Sequence, residues 1–412
     1  MENDKLIKNK ILKYASFSFF FIITTYKLTN SSLWFDEVIE YWYSKIMVGT
    51  IPFESSKNMY ERIVSTFQPP LYNFLMYFWL KISDSEWWFR FFGVVCGFIG
   101  MVGLRKSILK LYNNETIAGI SIIVVSCIYQ LVYIWQECSE YCLMLGSLFW
   151  TVFCFICLLK DNSRKNIMCF IISAIIPVYS QYGAAFPVLS MLIIAFIAIA
   201  LNKNTNRIVD LIILYISAFF ITAVPLYIFF FRKQIMRQQG NKSNFIIDLI
   251  EGLSTHNIGK EFITVFRYNF FTDYSEESVK IILLIIFMLC VCVFVNGKSL
   301  SRWIIATNML TWIIYYIAVV TKKYAYGSFG NRYNCFFIPM WIVSLIVIGY
   351  DFSNIVMFSK FKNKDEIRLG FIGVLCSFAV CFTINNWDNR ILENWEKGYN
   401  REVVEAWYRF GR

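Results

Sequence analysis

The chain holds a single histidine, His256, among 412 residues. That scarcity excludes histidine-rich metal centres. Charge is scarce too: 16% of residues are charged, against 58% hydrophobic and 19% aromatic. A soluble domain this apolar would aggregate, and long apolar stretches with few charges are the mark of membrane helices. Glycine-rich phosphate loops of the Walker or dinucleotide type are absent, so use of ATP or a nucleotide sugar inside the cell has no support. Twelve cysteines are present, but none forms a zinc or disulfide framework by spacing; Cys154 and Cys157 have the interval yet flank only Phe155-Ile156 inside an apolar run. Cys96, Cys127, Cys169, Cys290 and Cys376 likewise sit in apolar runs, where they act as small hydrophobes. No internal repeat is evident, which argues against an inverted-repeat transporter. The first apolar run has no small-residue cleavage site after it, so it reads as a span and not as a cleavable signal.

What is present is a series of apolar runs at 11–28, 87–109, 116–135, 141–159, 166–180, 182–201, 208–231, 279–296, 302–320, 334–350 and 367–385. Each is near the roughly 20 residues that cross a bilayer. The net charge of +11 does not point to nucleic acid, because the basic residues form short clusters between these runs. With the amino terminus inside, the inner segments hold Lys5, Lys8, Lys10 and Lys13; Arg105, Lys106 and Lys110; Lys160, Arg164 and Lys165. Lys203 and Arg207, Lys298 and Arg302, and the group from Lys360 to Arg368 follow on the same side. That is the positive-inside pattern. The expectation is an all-α polytopic membrane domain over residues 1–385 with about eleven spans, in the plasma membrane, and an exterior tail at 386–412.

Two apolar segments are too short to cross. Leu71–Ile82 follows Pro69-Pro70, and a crossing there would move every later basic cluster outside, so it reads as a helix lying on the outer face. The stretch 35–47, with Tyr41, Trp42 and Tyr43 beside Trp34, reads as a second juxtamembrane helix of the aromatic belt. The long loops 29–86, 232–278 and 321–333 all fall on the outer side.

The informative polar residues gather on that side as well. Leu33-Trp34-Phe35-Asp36-Glu37 sets two carboxylates beside the first span, a costly place for an acid without a task. Gln68-Pro69-Pro70-Leu71-Tyr72 and Asp84-Ser85-Glu86-Trp87-Trp88-Phe89-Arg90 follow. Gln136-Glu137-Cys138-Ser139-Glu140-Tyr141 stands where the third span meets the outside, and Tyr179-Ser180-Gln181-Tyr182-Gly183 at a later outer turn. Gly327-Ser328-Phe329-Gly330-Asn331-Arg332-Tyr333 opens the tenth span, with Pro339 inside it. Neighbouring residues on a helix point about 100° apart, so Asp36 and Glu37 cannot both face one small target. One is expected to act and the other to bond to backbone or a cation. Each of these residues also has a plain structural reading. Asp36 fits a helix N-cap, Glu137 a water-exposed turn, and Arg332 an interfacial side chain snorkelling to headgroups. Arg90 either supports a site or anchors the interface. His256 reads as a solvated loop residue. Lys322, Lys323 and the Arg232-Lys233…Arg237 cluster stand outside against the charge trend, where basic groups can steer an anionic carrier or acceptor. The second cluster lies in a long loop, where the trend is loose, and reads as ordinary solvated charge.

Taken in order, these motifs resemble the GT-C glycosyltransferases, of the protein mannosyltransferase and aminoarabinose transferase type. These are integral membrane enzymes that take sugar from a polyprenyl-phosphate carrier. The resemblance covers about residues 30–185 and 326–340. It implies a GT-C fold and an inverting transfer of a monosaccharide to a lipid, polysaccharide or protein acceptor on the exterior face. Asp36 matches the family's usual base. Glu137 would supply the second carboxylate, converging on Asp36 to hold acceptor or metal. Gln136 and Tyr141 match the family's Gln-Glu-Ala-Arg-x-Tyr turn, with Ser139 where the Arg would stand. Tyr182 matches a His-Tyr pair whose His position holds Gln181. Arg332 and Tyr333 match a late Arg-Tyr motif, placing a guanidinium to clamp the phosphate of the leaving carrier. Some branches of the family use a divalent cation. The tail from Asn386 stands where relatives continue into a small exterior domain, so a short form or a fragment is expected. Two other classes share the pattern. A flippase for lipid-linked sugar would carry polar groups at mid-span, where this chain is largely clean. A non-catalytic GT-C derivative would account for Ser139 and Gln181.

Overall fold

A computed structural model describes residues 2–26, 28, 37, 40, 41, 60, 64, 68–201, 205–240, 258–270, 275–321, 324 and 333–352. Among them the secondary structure is helical throughout, with no strand. In chain order come α1 (Glu2–Thr25), α2 (Leu71–Leu80), α3 (Glu86–Tyr112), α4 (Glu115–Ser126), α5 (Tyr129–Gln136), α6 (Glu140–Lys160) and α7 (Arg164–Ser180). A single 3-10 turn (Tyr182–Ala184) leads into α8 (Ala185–Leu201). The next rod runs from α9 (Thr205–Ala218) through π-helical segments at Phe219–Ala223 and Leu226–Phe231 into α10 (Arg232–Gly240). Then follow α11 (Ile258–Phe270), α12 (Glu276–Asn296), α13 (Ser299–Val320), a 3-10 turn (Cys335–Phe337) and α14 (Ile338–Phe352).

Seven of these helical stretches are long and apolar enough to cross a membrane, or eight if the bent pair α4–α5 counts as one. The chain is thus an all-α polytopic membrane protein. The expected span at 116–135 is not straight: its two halves meet at 71° around Cys127-Ile128. Four consecutive β-branched residues, Ile122 to Val125, weaken the helix there, and Ser126 turns its hydroxyl back onto the Ile122 carbonyl at 2.7 Å. The amides of Cys127 and Ile128 then tighten onto the carbonyls of Val124 and Val125, both at 3.1 Å, and end the helix. α1 carries Lys8, Lys10 and Lys13 in its length, and α7 has only 17 residues; neither is among the seven. The expected spans at 367–385, with His256, Lys322, Lys323 and the tail at 386–412, lie outside the described residues.

Helix boundaries follow local chemistry. Ser85 caps α3, its hydroxyl accepting from the Trp88 amide at 3.3 Å, and Glu86 adds negative charge at the helix start. Asn113 ends α3 in the left-handed region (φ 50°), and Asn114 caps α4 by accepting from the Ile117 amide. α2 has ten residues and does not reach across a bilayer. It folds back onto the start of α3 through Trp79 and Trp88. Their rings stack at 4.3 Å and 6°, and each indole N–H donates to the other's backbone carbonyl, at 2.8 and 2.9 Å.

The core is the packing of α3 against α6, and small residues make it close. A Cβ on Gly146 would strike the Cys96 carbonyl oxygen. Lipid chains compete with apolar side chains, so helices in membranes gain mainly from such close backbone approach. Gly93 does the same at the other contact of α3: a side chain there would collide with the Trp135 carbonyl oxygen. The bend between α4 and α5 and the gap at Gly93 together lay residues 135–138 directly against the start of α3.

Candidate functional site

One end of the helix bundle gathers the polar groups that the membrane core lacks. Arg90, one turn into α3, is 1% exposed and forks onto Glu37, which is fully buried. Its Nε donates to Glu37 Oε1 at 3.1 Å and its Nη2 to Oε2 at 2.9 Å. Nη1 donates to the Leu28 carbonyl at 2.7 Å, and the Cys138 amide donates to Glu37 Oε1 at 3.1 Å. One ion pair thereby ties three chain segments: the exit from α1, the start of α3 and the α5–α6 turn. Two planar forks in register give strong, oriented bonds, and burial makes them expensive to break. Arg90 is therefore no interface anchor; its charge is spent inside the protein.

Gln136 also joins segments. Its side-chain nitrogen donates to the Thr24 and Tyr26 carbonyls, at 3.1 and 3.0 Å, satisfying acceptors left open at the end of α1. Glu137 follows in extended conformation and is fully buried, not a water-exposed turn acid. Glu140 begins α6, and both it and Tyr141 are buried. Around Cys138 stand Glu37, Arg90, Glu137 and Glu40. Burial above all, then the acids, push the Cys138 thiol well above its ordinary range.

Tyr72 completes this cluster from α2. Burial first, and then Cys138, Cys142, Glu40 and Glu140, hold its phenol well above the usual value. The Pro-Pro-Leu-Tyr motif marked this residue, but neither Tyr72 nor Glu40 nor Glu140 stands out as a candidate from sequence. The available signal is spacing: Glu40 is three positions after Glu37 and Glu140 three after Glu137.

The second half of the site comes from later in the chain. Gln181 turns its side-chain oxygen onto the Gly183 amide, and it lies beside Tyr324. Tyr324 is half-buried, donates to the Tyr333 carbonyl at 2.9 Å, and is held above its usual pKa chiefly by desolvation of its phenol. Glu140 acts electrostatically on both Tyr72 and Tyr324, so it joins the two halves. Tyr182 donates to Gln234 Oε1 at 2.7 Å, and Gln234 passes the link to the Gln68 carbonyl at 2.7 Å. That chain clasps α10 to the turn before α2. Of the ten residues singled out from sequence, Asp36 and Arg332 lie outside the described residues. The other eight (Glu37, Arg90, Gln136, Glu137, Tyr141, Gln181, Tyr182 and Tyr333) all lie at this end. Among the described residues, no three His, Cys, Asp or Glu side chains are arranged to hold a metal ion.

The opposite end carries the basic clusters, with Arg105 paired to Glu115 and Lys160 on the Lys110 carbonyl. Between α11, α12, α13 and α14 lies an apolar cavity of about 610 Å³. Phe262, Phe266, Trp312 and Trp341 form its aromatic part. Phe287, Val291, Met309 and Ile313 also line it and are exposed, so it opens sideways from the bundle.

No protein-family model matches the sequence, and no curated protein matches it. Among solved structures it is similar to ArnT from Cupriavidus metallidurans bound to undecaprenyl phosphate, at a TM-score of 0.52 and 13% identity. The match covers 84% of this chain. The chain has the GT-C fold. It spans 60% of the length of that ArnT chain.

Proposed function

We propose that this protein is a glycosyltransferase that moves a monosaccharide from a polyprenyl-phosphate carrier to an acceptor at the exterior membrane face. The observation that carries the reading is the buried Glu37–Arg90 pair with the Cys138 amide, which fastens the acidic α5–α6 turn to the segment that contains Asp36. Both Glu37 oxygens already accept hydrogen bonds inside the bundle, from Arg90 and the Cys138 amide, which leaves Glu37 poorly placed to meet an acceptor hydroxyl. Glu37 is therefore the member of the adjacent pair that bonds to a cation and backbone, and Asp36 is the base that takes the acceptor proton. Glu137, on the same turn, is the second carboxylate. Arg332, beside Tyr333 in the chain, neutralises the leaving phosphate, the step at which charge develops most. The Tyr182–Gln234–Gln68 clasp and Gln181 with Tyr324 wall the other side.

The fold of ArnT supports the reading, since that protein is bound to undecaprenyl phosphate. Basic clusters at the opposite end support an exterior site in the plasma membrane, by the positive-inside rule. The acceptor is a lipid, polysaccharide or protein. Asp36→Asn and Glu37→Gln separate the two roles. Asp36→Asn is expected to keep the thermal midpoint and abolish transfer of label from polyprenyl-phosphate hexoses. Glu37→Gln is expected to lower the midpoint. Full transfer by Asp36→Asn would remove it from the chemistry and leave Glu137 as the base.

A further inference from the structure

Two buried carboxamides stand beyond the aromatic end of the apolar cavity, on the side of the acidic cluster. Asn334 precedes the Cys335–Phe337 turn that leads into α14, whose Trp341, Ser344 and Ile348 line the cavity. Asn334 stands seven positions before Trp341, across the 3-10 turn and the first turn of α14. Asn269 stands on α11 after Phe262 and Phe266, which line the same cavity. Trp341 packs on Phe266 at 4.9 Å, Phe270 at 5.5 Å and Phe337 at 5.0 Å, so the two segments meet just below the asparagines. Asn269 Nδ2 donates to the Asn334 carbonyl at 3.5 Å and to its own helix at Val265, 2.9 Å.

Both residues are nearly closed to solvent, at 2% and 1% exposure. Asn334 Nδ2 and Oδ1 and Asn269 Oδ1 nevertheless have no hydrogen-bond partner. Buried polar atoms are almost always paired, and each exception needs a reason. The open atoms are two acceptors and one donor. An anion offers acceptors only and would satisfy Nδ2 alone, whereas hydroxyls donate and accept.

We propose that Asn334 and Asn269 read the hydroxyls of a glycosyl headgroup whose lipid chain lies in the adjoining cavity. This rests on the glycosyltransferase reading and names the residues that would tell a loaded carrier from an empty one. The cavity supplies affinity for the chain through apolar area, and the carboxamides supply selectivity. Loss of a site's polar partner leaves groups unpaired, which is why such sites discriminate strongly.

The test is equilibrium binding to the full chain in lipid nanodiscs. Undecaprenyl phosphate is compared with its glucose, galactose, mannose, N-acetylglucosamine and aminoarabinose adducts. In the wild type at least one sugar is expected to tighten binding about tenfold, the worth of one well-placed hydrogen bond. Asn334→Leu is expected to lose that gain, to bind the bare carrier as before, and to unfold no earlier, because an apolar isostere removes the open atoms. Asn334→Asp, which keeps the size and the acceptors but loses the donor, replaces the Leu variant should that fail to fold. It is expected to lose the gain in part. A variant that keeps the full gain, or a wild type for which no sugar tightens binding, overturns the inference. Early unfolding of the variants with unchanged sugar selectivity also overturns it, since that marks a pair held by internal water. Sugar-dependent binding with no transfer to any acceptor would contradict the enzyme reading alone. Transfer by Asn334→Leu at an unchanged carrier KM would contradict this inference alone.

Discussion

Glu37 and Arg90, 53 positions apart, form a two-pronged ion pair sealed from solvent at the end of the bundle that carries the acids. Breaking one half of such a pair strands a charge. Arg90→Leu or Glu37→Gln is expected to cost about 3–5 kcal/mol, and the double variant Glu37→Leu with Arg90→Met less than the sum of its parts. Thermal unfolding of the purified protein in detergent measures this. Additive losses would show that the two side chains are not coupled.

Gly93 decides how closely the α5–α6 turn approaches α3. Gly93→Ala is expected to destabilise by about 1–3 kcal/mol through overpacking against the Trp135 carbonyl. It is also expected to reduce sugar transfer, because the Glu137 turn must shift. Gly349→Ala meets open space and is expected to do neither. Equal effects of the two substitutions would contradict the close approach as the cause.

Cys138 titrates late. Its thiol pKa is raised by burial, with Glu37 opposing ionisation further and Arg90 favouring it. The thiolate is the reactive form, so at neutral and mildly alkaline pH it stays scarce. A variant keeping Cys138 as its sole cysteine is expected to resist maleimide until the protein is denatured. Arg90→Leu removes the favouring charge and raises the pKa more. Rapid labelling of the folded protein would show that the turn is open to water.

Tyr182→Phe cuts the clasp between the outer turn and Gln234. The expected loss is about 1 kcal/mol of stability, with a larger fall in transfer if the clasp shapes the site. Gln234→Ala should behave alike, and the pair together little worse than either.

Sidedness is testable with engineered cysteines. Ile82→Cys lies at the acidic end and Lys165→Cys at the basic end, both at exposed positions. A membrane-impermeant reagent on intact cells is expected to label the first and spare the second. The reverse result would invert the topology.

Much of this was legible in the sequence, and the rest was not for physical reasons. Asp84-Ser85-Glu86 announces the start of α3, because an N-cap hydroxyl and an early acid act locally. The short run at 71–82 betrays a helix that does not cross, because length against bilayer thickness is a local count. The 71° bend at Cys127-Ile128 has no glycine or proline to mark it, and depends on which carbonyls the next turn can reach. Arg90 looks like an interfacial arginine until its partner is known, and that partner is set by tertiary packing. Glu40, Glu140 and Tyr72 acquire meaning only when α2 folds onto the α5–α6 turn.

The most direct measurement is transfer itself. Purified protein is reconstituted with radiolabelled polyprenyl-phosphate sugars confined to one leaflet, with an envelope extract as acceptor, and the anomer of the product is determined. The account predicts label on the acceptor with inverted configuration, and only when the donor faces the acidic end. Movement of the labelled carrier between leaflets with no glycosylated product would contradict it and identify a flippase.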